Sequence, residues 1–151
     1  MHSLVRRYIK TSIVFLLVGL AIGGWMIIQR ELLHRYPPQY EISAHTHAVF
    51  VGFVMMMIQG VALWLFPRPD KDDHRYRPAL ALTAYWLVTV GTAVRVAGEI
   101  ARVWPVAEWV AWAIVVAGMA QIAGLALFFY TMWARIRSVG SKVREARGER
   151  F

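Results

Sequence analysis

His45-Thr46-His47 places two imidazoles two residues apart, at the start of an apolar segment long enough to cross a membrane. Ionisable side chains are costly inside a bilayer, so they mark functional sites there. Imidazole is a ligand for haem iron, copper and zinc. A helix turns about 100° per residue, so these rings point about 200° apart. On a regular helix they do not share one small ion, and each serves a partner on its own side. Arg95 and Glu99 lie four residues apart on one face of a later span, at the depth expected for the histidines. An arginine fork suits the carboxylate propionates of a haem, and a structural ion pair accounts for the same spacing. His34, at the end of an earlier span, is a third candidate ligand or an ordinary interfacial histidine.

Other polar and soft groups read more plainly. Met55-Met56-Met57 invites copper, but consecutive residues point in different directions on a helix, so packing is expected of them. Gln59 and Gln121 lie within spans and are expected to hydrogen-bond between helices. Gly19-x-x-x-Gly23 has the spacing that lets two membrane helices approach closely. His2 and His74 fall on charged flanks, where water surrounds them.

The elements that position these groups are transmembrane helices. The chain has 151 residues, enough for one domain, and is 58% hydrophobic. Four apolar spans are predicted, at about 11–29, 44–66, 79–100 and 106–133, with a basic tail at 135–151. The fold class is therefore all-α, a polytopic membrane protein. The first span is too long for a signal-peptide core and is read as retained. Pro37-Pro38 ends the first helix, Ser43 is an N-cap for the second, and Pro105 falls near the first turn of the fourth.

Cysteine is absent, which excludes disulfides, iron–sulfur clusters, thiolate zinc and the thioether attachment of a c-type haem. A haem here would be of the b type, with copper the less favoured cofactor. The formal charge of +8 comes from basic residues flanking the spans, so anionic lipid is the expected partner and nucleic acid is not. Thirteen of the seventeen Lys and Arg residues fall on one side: before the first span, between the second and third, and after the fourth. The positive-inside rule then places both termini in the cytoplasm, in a cell inner membrane, with His45 and His47 near the outer face. Trp25, Tyr36, Tyr40, Trp104 and Trp109 form an aromatic belt at that face.

The stretch Ala44-His45-Thr46-His47-Ala48-Val49-Phe50-Val51-Gly52-Phe53 resembles the second helix of the heme-copper oxidase catalytic subunit. It is most similar to the C-type oxidases and nitric oxide reductases. In that family the first histidine of this helix ligates the low-spin haem, so the resemblance implies that role for His45. Those subunits have three arcs of helices, and this chain is the size of one arc. The resemblance therefore implies a homotrimer imitating the three arcs. Each haem would lie between neighbouring chains, with His45 of one chain and His47 of the next as its ligands.

Three functions stay open at this level. One is a bis-histidine haem b protein passing electrons, with quinol or a respiratory protein as redox partner. The second is a haem protein that binds NO or oxygen, or an oxidoreductase that reduces them. The third is an accessory subunit of a respiratory complex. A weaker fourth uses His34, His45 and His47 for copper or zinc, and requires the second helix to begin after His47.

Overall fold

The computed structural model describes residues 3–67, 77–136 and 147–148. Among these residues there are four long helices and no strand. Helix α1 is Ser3–Glu31, α2 is Gln39–Leu65, α3 is Pro78–Ala101 and α4 is Trp109–Met132, and each is long and apolar enough to cross a membrane. A single 3-10 turn, Trp133–Arg135, follows α4. The expected links containing His74 and most of the basic tail lie outside the described residues, as does His2.

The helices start and stop where backbone chemistry requires. Helix α1 reaches back through Arg6, Arg7 and Lys10, because long basic side chains favour helix and can carry their charges out to the headgroups. It ends with His34 at φ 51°, and the Leu33 and Arg35 N–H groups return to the Ile28 and Gln29 carbonyls. A left-handed residue after the last turn lets such returning bonds form. Arg77 is extended, as a residue before proline must be, and Pro78 opens α3.

Two expected boundaries are corrected. Helix α2 starts five residues before Ala44, on Pro38 as N-cap, and the Glu41 N–H bonds the Pro38 carbonyl. Ser43 is thus inside the helix and caps nothing. Pro105 lies in the link before α4 and not in its first turn, because α4 nucleates on the carbonyls of Ala107 and Glu108. The Glu108 carboxylate suits that end of the helix dipole.

The middle of α2, His47–Met55, winds as a π-helix. Ala44, Ala48, Gly52 and Met56 are buried at a strict four-residue spacing. A regular α-helix would carry those positions about 120° around its axis. Wider winding keeps these buried positions facing the neighbouring helices. Long π stretches are rare and concentrate at functional sites.

The closest packing joins α1 to α2 and α3 to α4, with α2 also against α3, while α1 and α3 meet mainly through side chains such as Tyr8 and Tyr85. Gly91 permits the tightest part of the α3–α4 contact, since a Cβ there would lie 2.8 Å from the Ala117 carbonyl oxygen. The helices alternate in direction. One end, the basic end, gathers Tyr8, Tyr85 and Phe128 edge to face, with Met56, Leu63 and Met132 around them. The other, the histidine end, holds the smaller cluster of Ala44, Ala48 and Val96. Many large apolar side chains face outward, including Leu17, Trp64 and Val116, as lipid or a partner helix requires.

Arg135 was expected in an exposed tail, yet it is only 4% exposed. Its Nε donates to the Pro67 carbonyl at 2.8 Å, and Nη2 donates to Phe66 and Leu63 carbonyls at 3.2 and 3.3 Å. A guanidinium fork thereby satisfies the open carbonyls at the end of α2 and ties that end to α4. Arg135→Ala should destabilise the fold by roughly 3 kcal/mol, read by thermal unfolding in detergent, and Arg135→Lys should recover only part of this.

Candidate functional site

Both histidines of interest lie well inside α2, beyond its first turn, and their rings leave it on different sides. His45 Nδ1 is 2.9 Å from the Gly19 carbonyl oxygen of α1. A carbonyl only accepts, so Nδ1 carries the proton and the Nε2 lone pair is free. The ring lies against Gly23, where a Cβ would come within 2.9 Å of Cε1. The expected small-residue pair of α1 therefore has two jobs: Gly19 supplies the orienting carbonyl, and Gly23 supplies room for the imidazole. Gly23→Ala should keep the fold but push the ring off its carbonyl, weakening ligand binding at Nε2 by about tenfold, as titration of the purified protein with haem would show.

His47 is set in the same tautomer by other groups. Its Nδ1 lies 2.8 Å from the Ser43 carbonyl and 3.3 Å from Glu99 Oε2 on α3. The Ser43 hydroxyl donates to Glu99 Oε1 at 2.8 Å. Again Nδ1 is the protonated nitrogen and Nε2 is left as an acceptor. Metal-ligating histidines characteristically spend their second ring nitrogen on a carbonyl or carboxylate in this way.

Arg95 and Glu99 form the expected pair, Nε to Oε1 at 3.1 Å. Arg95 Nη1 also donates to Gln121 of α4 at 3.3 Å, and Gln121 Nε2 donates to Thr92 at 3.0 Å. Glu99 is 3% exposed. A polar chain thus runs from α2 through α3 to α4 at the depth of the histidines. Gln121 bonds between helices as expected. Gln59 does not: neither of its amide atoms has a partner among the described residues.

Two features of this end were not read from the sequence. Arg30, with Tyr36, lines the same cleft of about 560 Å³ as His45, between the end of α1 and the start of α2. Its guanidinium also bonds the adjacent Glu31 carboxylate. Glu41 is buried one turn before His45 and accepts a hydrogen bond from Gln29. The i−4 spacing from His45 was the available signal for Glu41. For Arg30 there was none, because its cleft exists only once the link folds back.

His34 stands exposed in the α1–α2 link. No group of three or more His, Cys, Asp or Glu side chains that could hold a metal ion occurs among the described residues. The condition set for a three-histidine copper or zinc site is also unmet, since α2 begins at Gln39, ahead of both histidines. The arrangement offers single imidazole ligands, one per side of a helix, each held by a carbonyl.

The family model described as cytochrome c and quinol oxidase polypeptide I matches residues 3–146. No curated protein and no solved structure matches the chain.

Proposed function

Because the chain belongs to the cytochrome c and quinol oxidase polypeptide I family, the heme-copper oxidase subunit I group, we propose that it is a haem b protein of the membrane that passes electrons. The observation that carries this reading is the shared tautomer of His45 and His47. Each imidazole donates from Nδ1 to a backbone carbonyl and keeps Nε2 for iron. Haem supplies reversible one-electron chemistry at its iron when bound.

The residues divide the work of holding it. His45 and His47 would hold the iron through Nε2. Gly19, Ser43 and Glu99 fix ring orientation. Arg30 and Tyr36, at the rim of the His45 cleft, suit propionate carboxylates. Arg95 shares that role more remotely, since Glu99 and Gln121 already engage it.

The rings lie on opposite flanks of α2, one against α1 and the other against α3, so one chain does not clasp one iron from both sides. Six-coordinate haem then needs two chains, with His45 from one and His47 from the next. Four helices match the size of one arc implied by the resemblance, and three such chains would close a ring. We assign both termini to the cytoplasmic side of a cell inner membrane, and quinol or a respiratory protein as the electron partner.

A second reading follows from the same geometry. A chain that stays alone offers one histidine per haem, leaving a coordination position for NO or oxygen. The deciding experiment is the absorption spectrum of the detergent-purified protein, oxidised and dithionite-reduced, with and without CO, alongside its mass. A low-spin b-type spectrum insensitive to CO, from a trimer, supports the electron carrier. A CO-responsive spectrum selects the gas-binding reading. A strictly monomeric complex that is still six-coordinate overturns shared ligation, and no bound haem after expression with ample haem leaves the accessory role.

A further inference from the structure

At the basic end, far from the histidines, two interior polar side chains have no hydrogen-bond partner among the described residues. Tyr8 and Gln59 are both 0% exposed. The Tyr8 hydroxyl and both amide atoms of Gln59 lack a hydrogen-bond partner among the described residues. Hydrocarbon supplies no partner either, so polar groups in a membrane interior must be satisfied from within the protein.

The two belong to one interior. Tyr8 leaves α1 directly against Gly60, where a Cβ would meet the Tyr8 Cβ at 3.0 Å. Gln59 precedes Gly60 on the buried strip of α2 that runs from Met56 to Leu63. The Tyr8 ring meets Tyr85 at 5.0 Å and Phe128 at 6.0 Å between centroids, so it occupies the middle of the four helices. Most of the surrounding side chains are apolar. Nearby polar groups include the Tyr85 hydroxyl, which bonds Thr11 at 2.8 Å, and Arg135, whose Nη2 donates to the Leu63 carbonyl.

A direct Gln59–Tyr8 bond would not close the account. An amide presents two donors on nitrogen and an acceptor oxygen, and a single hydroxyl cannot serve both atoms at once. A small ligand that both donates and accepts can. No carboxylate is among the named residues to balance a cation, and the buried Arg135 at this end already spends its guanidinium on the Leu63, Phe66 and Pro67 carbonyls. Buried water typically makes about three hydrogen bonds to such otherwise unsatisfied groups.

We propose that Tyr8 and Gln59 form an internal water-binding site between α1 and α2, with the Tyr85 hydroxyl at its edge. The site is independent of haem. It makes water an integral part of the packing at the basic end.

The test is X-ray hydroxyl-radical footprinting of the full chain in detergent, since radicals generated from a bound water mark the side chains beside it. Tyr8 and the fully buried Met56 are expected to be oxidised rapidly despite their burial. Gln59→Leu should lower Met56 oxidation several-fold. Tyr8→Phe keeps the ring contacts and should lower it as well, so the comparison survives if Gln59→Leu fails to fold. Unmodified Tyr8 and Met56 in the folded wild type would overturn the proposal, as would equal Met56 oxidation in wild type and Tyr8→Phe.

Discussion

His45→Ala is expected to abolish the six-coordinate haem spectrum, and His47→Ala is expected to do the same although its ring lies on the opposite flank of α2. Loss of an outer partner of a metal ligand costs roughly 10–100-fold in affinity, so loss of the ligand itself must cost more. Reduced-minus-oxidised spectra and the haem-to-protein ratio check this. Shared ligation adds a sharper expectation. Neither variant alone can build an intact site, but a His47→Ala chain retains His45 and a His45→Ala chain retains His47. Co-expressed, they should restore roughly a quarter of the six-coordinate sites, because one of four random ordered junctions pairs the two surviving ligands. Ligation within a single chain predicts no rescue.

Arg95→Met should be the most damaging single change to stability. It leaves the Glu99 carboxylate buried without its guanidinium partner. Removing one member of a buried ion pair typically costs about 3–5 kcal/mol. Glu99→Gln should cost less, because Arg95 keeps Gln121 and an amide oxygen beside it. The double change to methionine at both positions should regain much of the loss, since two apolar side chains need no counter-charge. Denaturant or thermal unfolding in detergent measures all three. The same series probes His47, since Glu99→Gln removes the negative charge beside Nδ1 and should shift the redox potential of any haem bound there.

Much of the architecture was legible in the sequence because a bilayer imposes it. Four apolar runs bounded by prolines and charges have few alternatives, and all four became helices. The helix ends were harder. Tyr40 and Glu41 looked like link residues by polarity, yet Gln29 of α1 donates the hydrogen bond that holds Glu41 in the interior. That partnership depends on how the link folds back, which no local pattern encodes. The histidines were legible because charge-capable groups are rare in such a segment, and the Arg95–Glu99 pair because helical spacing alone brings it together. Ser43 was misassigned for the same local reason that makes serine a common cap: its place depended on where the helix began. Arg135 was read with the tail because its neighbours are basic and polar, while its partners are carbonyls some seventy residues earlier.

The π-wound stretch of α2 bears on how this protein can change by insertion and deletion. Such a segment holds more residues per turn than the helix on either side of it. Deleting one residue between His47 and Met55 would let the backbone relax toward ordinary α winding. After that deletion, eleven α-helical steps of about 100° would separate Ala44 from Met56, which keeps the two within about 20° of one face. A lineage carrying this helix can therefore lose a residue there without breaking the span and without re-facing either half, giving up only the π winding. Single-residue length differences among related chains should accordingly be tolerated between His47 and Met56 as well as in the links.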